Sequence, residues 1–360
     1  MTNKEAITLV GVGDVIIDRE KPETMFRHVA DPLRSADIAY ANMEQVLSDK
    51  GSPHPRQAVY SSPKIVDAYL YAGIDVVSLA TNHIGDWGTE GLLGTLETLK
   101  KAGIPYFGAG QNLAEARKPA ILERKGTRVG FLNYCTVHMN EYAATDDRPG
   151  LSPIGVWTVY ERVDYQPATP PLIVSITHKE DLAYLVEAVK NLKAQVDIVV
   201  LCMHWGQHLL PRIIPDYCFE IGHAAIDVGA DIILGSHTHI LKGIEMYKGK
   251  PIFYSLANFA LELGPHMRDH KHVSSLDKLY RIKDWHDRRK TMMAKVVIEK
   301  GKIARVSYIP CYENDDKEPE IVKKKDPRGQ DVFNYVEDIS RSEGLPVHFE
   351  WDGDEVVILP

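Results

Sequence analysis

Short apolar runs alternate with longer amphipathic ones through the first two thirds of the chain. Segments 7–13 (ITLVGVG), 37–42 (DIAYAN), 74–80 (IDVVSLA), 128–134 (RVGFLNY), 197–203 (DIVVLCM), 231–234 (DIIL) and 251–256 (PIFYSL) read as strands. Several are almost continuously apolar, as in strands covered on both faces. Between them, 62–73 opens on Ser62 and Pro63 and closes on Gly73, the start and stop signals of a helix. The stretch 88–103 sets Leu92, Leu96 and Leu99 at helical spacing, 181–193 is amphipathic, and 217–229 leads as a helix into the strand 231–234. Segment 294–309 reads as a hairpin turning at Lys300, Gly301 and Lys302. This alternation predicts an α/β domain whose sheets are covered by helices.

Three segments break the rhythm. Residues 136–172, rich in proline and aromatics, read as a lid-like excursion within a main domain of 1–310. Residues 260–293 form a polar insertion over one edge, and its His266, His270 and His272 read as a solvated loop, with a functional lid as the alternative. Residues 311–360 read as a charged linker followed by a small helix and hairpin appendage.

With 360 residues and 44% apolar content, the chain can fill one large domain with appendages or two modest ones. A formal charge of -8 with scattered basic residues argues against nucleic acid as a partner. The N-terminus starts almost at once with a strand, and no apolar run approaches the ~18 residues of a membrane span. A cytoplasmic chain without a membrane anchor is therefore expected. Cys135, Cys202, Cys218 and Cys311 are dispersed, with no C-x-x-C pair, and read as reduced thiols.

The candidate chemistry sits where strands end. Asp14, Glu44, Asn82 with His83, His204, and the pair His237 and His239 each stand at the end of an apolar run or within a few small residues of it. In α/β proteins such ends gather groups from distant sequence into one crevice. Each residue alone has a plainer role: Asp14 as a turn cap, Asn82 satisfying a loop, His204 bonded within a core. Together they make a mixed oxygen and nitrogen donor set without thiolate, suited to one or two divalent ions of manganese, iron or zinc. Two ions sharing a carboxylate and a bridging hydroxide would serve metal-assisted hydrolysis.

The motifs G-D-V-I-I-D-R (13–19), N-M-E (42–44), A-G-I-D-V-V-S-L-A-T-N-H-I-G-D-W-G (72–88), H-W-G (204–206), G-A-D-I-I-L-G-S-H-T-H (229–239) and Y-S-L-A-N-F (254–259) resemble the CapA family of poly-γ-glutamate capsule-synthesis proteins, related to calcineurin-like metallophosphoesterases. The resemblance spans roughly residues 6–310 and implies a four-layer αββα sandwich of metallophosphoesterase type. It also implies roles. Asp14, Glu44 and His239 would form a first site, with Glu44 bridging to a second site of Asn82, His204 and His237. His83 would face the reacting group and Asp86 would orient it.

Departures from the family pattern bear on the substrate. Ile16 stands where phosphoesterases carry a histidine, so the first site is depleted and, if only one ion binds, His239 is expected to be the less tightly engaged of its pair. Thr81 replaces an asparagine, Lys242 a glutamine, and the segment 60–63 lacks an arginine common there. Arg19, Lys242 and Trp205 are the substrate-side candidates. Arg19 would clamp an anion or form a salt bridge, Lys242 is otherwise a loop lysine, and Trp205 a pocket wall, with His208 at the rim.

These residues point to a metal-dependent hydrolase acting on an anionic small-molecule or peptide-like substrate, an amide bond being favoured over a phosphoester. The alternatives are a metal-assisted peptide or amino-acid epimerase and a non-enzymatic polyglutamate-handling component of a capsule-synthesis complex. A homo-oligomer is compatible with all three.

Overall fold

The computed structural model describes residues 4–267 and 285–360. Two sheets face each other. The first is ordered His348–Asp352, Glu355–Leu359, Lys302–Glu313, Lys290–Glu299, Ile7–Ile16, Ile38–Met43, Val76–Ser78 and Tyr106–Phe107, with Asn258–Leu261 also paired to Ile7–Ile16. The second is ordered Ile244–Tyr247, Lys250–Phe253, Ile232–Ser236, Ile198–His204, Thr127–Cys135 and Ala120–Arg124. Leu9, Tyr40 and Val76 of the first sheet meet Phe131, Val200 and Leu234 of the second in a buried inner core. The opposite faces are covered by Val66–Ala72 and Gly88–Ala102 on one side and by Lys179–Lys193 and Asp216–Asp227 on the other. The architecture is the four-layer αββα sandwich that the resemblance implies.

Local chemistry explains the boundaries. The Ser62 hydroxyl accepts from the Lys64 amide at the start of Pro63–Ile65, and Gly73 ends the following helix in a left-handed conformation, φ 74°. Leu92, Leu96 and Leu99 are buried on one face of Gly88–Ala102. The strands carrying candidate ligands run parallel within each sheet: Ile7–Ile16 beside Ile38–Met43, and Thr127–Cys135, Ile198–His204 and Ile232–Ser236 together. Parallel strands share an end, so Asp14, Glu44, His204 and His237 emerge at one edge of the sandwich.

Two expectations change. The C-terminal helix and hairpin are not an appendage: Glu355–Leu359 pairs with Lys302–Glu313 (Ser307 opposite Val357), and Pro327–Ser342 buries Val332, Val336 and Ile339 in the inner core. The linker returns as the short strand Pro319–Ile321 on Lys302–Glu313. Within 136–172, Val156–Glu161 starts an antiparallel ribbon completed by Leu172–Thr177. His270 and His272 lie outside the described residues. His266 is tethered: its Nε2 donates to the Tyr60 carbonyl (3.0 Å), its ring meets Tyr60 edge-on, and Asp18 lies 3.5 Å away. No helix among the described residues is long and apolar enough to cross a membrane.

Candidate metal centre

Asp14 is aimed by a bulge. The register of Ile7–Ile16 slips beside both parallel neighbours, between Val12 and Asp14 and between Asp14 and Val15. Gly13 permits this, since a Cβ there would lie 2.0 Å from the Ala257 carbonyl oxygen. Gly235 does the same on the facing sheet, where a Cβ would meet the Tyr254 oxygen at 2.1 Å. Beyond it, His237 and His239 both take positive φ, 91° and 60°. Side chains rarely adopt such values, and they gather at functional turns. At His237 the turn brings the backbone N–H to within 3.0 Å of Asp14 Oδ2.

The sequence-predicted donors converge. Glu44, His204 and His237 form one group and Asp14, Glu44 and His239 a second, the ligand atoms of each lying within 4.8 Å of one another. Glu44 belongs to both. Asn82 Oδ1 joins the first group, 2.6 Å from His204 Nε2 and 3.3 Å from His237 Nδ1. Glu44 Oε1 lies 3.2 Å from the same His204 Nε2. The Ser236 hydroxyl lies 2.9 Å from His204 Nδ1 and donates to the Met203 carbonyl. In the tautomer that gives Nδ1–H to Ser236, His204 Nε2 points a lone pair at two oxygens, an arrangement that calls for a cation.

Electrostatics agree with that need. Asp14 and Glu44 are fully buried. Burial, and next the neighbouring Glu44, raise the Asp14 carboxyl above its ordinary range. Burial lowers His204 to about 3, with His239 and His83 adding to the effect, so its imidazole is neutral at ordinary pH. His237 is likewise held well below normal by burial and then by the surrounding imidazoles. Two buried carboxyl groups beside the neutral imidazoles of His204 and His237 form an oxygen and nitrogen donor set that fits a divalent ion of borderline hardness.

His83 stands beside this cluster, near enough to influence His204, His208 and His237. Its Nδ1 is 2.8 Å from Asp86 Oδ2, and Asp86 is fixed by the Val59 amide (2.8 Å) and the Tyr142 hydroxyl (3.0 Å). The ring is thereby oriented, with its Nε2 turned away from Asp86.

The substrate-side candidates go elsewhere. Arg19 spends its donors on Glu262 (2.6 Å), Glu318 (2.9 Å), Thr24 (3.1 Å) and the Asp316 carbonyl (3.0 Å), the salt-bridge reading rather than the clamp. Trp205 is wholly buried in the outer core of the second sheet, where its Nε1 donates to the Tyr254 carbonyl (2.9 Å). Strand alternation puts it on the face opposite its neighbour His204. Lys242 is buried under the loop after Ile198–His204, where its Nζ donates to the carbonyls of Leu210 and Ile213. Burial lowers its pKa to about 7.

Other residues enter that the sequence reading passes over. Asn42 donates to Asp14 Oδ1 (2.8 Å) and accepts from Ser78, while Asn258 Oδ1 lies 2.7 Å from His239 Nδ1. Both stand inside recognised motifs, N-M-E and Y-S-L-A-N-F, which is the signal that could have found them. His208 is no rim residue. Its ring lies 4.0 Å from that of His237 and 4.8 Å from that of His239, with Nε2 3.3 Å from His237 Nδ1.

A family model described as bacterial capsule synthesis protein PGA_cap matches residues 8–262. The chain is 30% identical over 273 residues to the capsule biosynthesis protein CapA of Bacillus anthracis, covering 72% of this chain and 61% of that one. It is 28% identical over 265 residues to the PGA biosynthesis protein CapA of Bacillus subtilis (strain 168), covering 70% and 63%. It thus spans less than two thirds of the length of these relatives. A hypothetical protein from Thermus thermophilus shares the fold, with a TM-score of 0.51 at 13% identity over 86% of this chain and 100% of that one. The calcineurin-like phosphoesterase YfkN from Bacillus subtilis aligns with a TM-score of 0.46 at 10% identity, over 95% and 99%.

Proposed function

The chain belongs to the family of bacterial capsule synthesis proteins, and from that premise we propose that it is a metal-dependent hydrolase cleaving an amide bond in an anionic small-molecule or peptide-like substrate. The observation that carries this reading is the pair of three-ligand groups joined through Glu44. Asp14, Glu44 and His239 would hold one divalent ion, and Glu44, Asn82, His204 and His237 a second. Ions so held supply Lewis-acid polarisation of a carbonyl and water of lowered pKa as nucleophile.

The chain's own residues do the rest. Asn42 and the His237 amide hold Asp14 in place through its carboxylate oxygens. Asp86 keeps a proton on His83 Nδ1 and would stabilise the imidazolium formed when Nε2 takes up a proton from the attacking water, the proton that Nε2 then passes to the departing amine. His204 and His237, both neutral at ordinary pH, present lone pairs instead of protons. Amide over phosphoester follows from the thinner first group, which lacks the second imidazole that would help clamp a phosphoryl group, Ile16 standing in its place.

The test is turnover of a panel of γ-glutamyl and α-peptidyl amides by the full chain, stripped with chelator and then reloaded with manganese, iron or zinc. Restored cleavage of an amide by at least one metal, lost in His237→Ala, is the expected result. Equal, negligible metal uptake by wild type and His237→Ala under metal-replete conditions would overturn it.

A further inference from the structure

A groove of about 590 Å³ runs between the ribbon Val156–Glu161/Leu172–Thr177 and the loop that follows Ile198–His204. Its inner end is formed by Thr136, Gly206 and Gln207, the last two lying between His204 and His208 in the chain. The Thr136 amide donates to the His204 carbonyl (3.0 Å), so this end of the groove meets the backbone of a candidate ligand residue.

Among the described residues the lining carries no cation, and Asp216 is its single charged group. Val156, Tyr160 and Ile173 project from one face of the ribbon toward Ile213, Ile214 and Tyr217. Tyr160 and Ile173 keep 68% and 51% of their surface exposed, a cost in water that an apolar occupant would remove. Thr136, Thr158, Ser175 and Tyr217 add hydroxyl groups to the lining, and Gln207 adds a side-chain amide. That amide makes no hydrogen bond among the described residues and stands at the inner end, ready to pair with a peptide group. A second cleft of about 610 Å³, beside Asn258, is of opposite character, with Arg288, Arg289 and Lys317 facing Glu262, Glu313 and Asp315.

From this contrast we infer that the groove binds the uncharged, apolar stretch of an extended peptide-like substrate, with Gln207 pairing to its backbone next to the reacting amide. A polyanionic chain such as poly-γ-glutamate has no cation to meet along this wall and would encounter Asp216. The inference rests on the proposed hydrolase only for what happens at the metal centre; the groove itself can be tested without metal.

The experiment uses the full chain after chelator treatment. Fluorescence anisotropy follows two labelled probes, an amidated alanine–leucine hexapeptide and hexa-γ-glutamate. The hexapeptide should bind at least about tenfold more tightly than hexa-γ-glutamate. Ile173→Asp, at an exposed position, should weaken the hexapeptide by about tenfold. Gln207→Ala should weaken it severalfold. Manganese binding by calorimetry should be the same in both variants as in wild type. Equal or tighter binding of hexa-γ-glutamate, a change below about twofold in Ile173→Asp, or no hexapeptide binding up to about 1 mM would each overturn the inference. Failure of manganese to bind the wild type would sink the hydrolase reading and leave the groove to be judged on the peptide data.

Discussion

Replacing Glu44 with glutamine should stabilise the metal-free protein and remove most of what metal adds. Asp14 and Glu44 are fully buried, with ligand oxygens within 4.8 Å. Two negative charges at that separation repel by about 3.5 kcal/mol at an effective dielectric near 20. Protonation of Asp14, whose carboxyl is already raised by burial and then by Glu44, takes up part of this. A net gain of ~1–2 kcal/mol is therefore expected for the metal-free variant. With an unfolding entropy of about 2.1 cal/mol/K per residue, a chain of this size gains about 1.3–2.6 °C in Tm from that change. With metal the sign reverses, because Glu44 is the one side chain in both ligand groups. An ion at about 100 times its Kd adds ~2.7 kcal/mol per site, so two filled sites would raise the wild type by roughly 7 °C. Scanning calorimetry of chelated wild type and Glu44→Gln, with and without manganese at one fixed pH, measures both effects. A variant that melts lower than wild type without metal, yet gains the full manganese shift, would refute the reasoning.

Asp86→Asn should lower kcat on any amide substrate by about 100-fold, with KM and metal content nearly unchanged, because it frees His83 from its fixed tautomer without touching the ligand groups; steady-state kinetics with elemental analysis check this. The chelated protein should lose stability as pH falls below about 6.5, because unfolded His204 takes up a proton there and the buried ring only near 3. The slope is ~1.4 kcal/mol per pH unit for each such histidine, His208 and His237 act in the same direction, and Asp14, being raised, opposes them. A urea midpoint that stays flat between pH 7 and pH 5 would count against this account. Lys242 is held near 7 against an ordinary 10.5, so the folded state lacks a proton that the unfolded state keeps, and wild type should gain stability between those two values. Lys242→Met should abolish that gain and loosen the loop carrying His208, seen as faster hydrogen exchange at 207–214.

What the sequence disclosed and what it hid follow from one distinction. Strand ends are legible because a parallel strand buried on both faces is a run rich in Val, Ile and Leu, and the polar residues just after it mark the sheet edge. Asp14, Glu44, Asn82, His204, His237 and His239 were found in that way, and parallel pairing brings them together. The direction of a side chain is less legible than its position. Trp205 follows His204 immediately and yet faces the opposite layer, as alternation requires. Arg19 and Lys242 lie near ligands in sequence, but a cation goes to whichever acceptors the tertiary fold supplies. For Arg19 these are carboxylates from residues 262 and 318, and for Lys242 two loop carbonyls. Such partners leave no mark in the local pattern. His208 was hidden for a related reason: its place against His237 and His239 depends on a loop folding back, fixed by the Leu209 amide on the Thr238 carbonyl and by Lys242 beneath. The lysine read as the main departure on the substrate side thus acts from below, through the loop that brings a further imidazole to the centre.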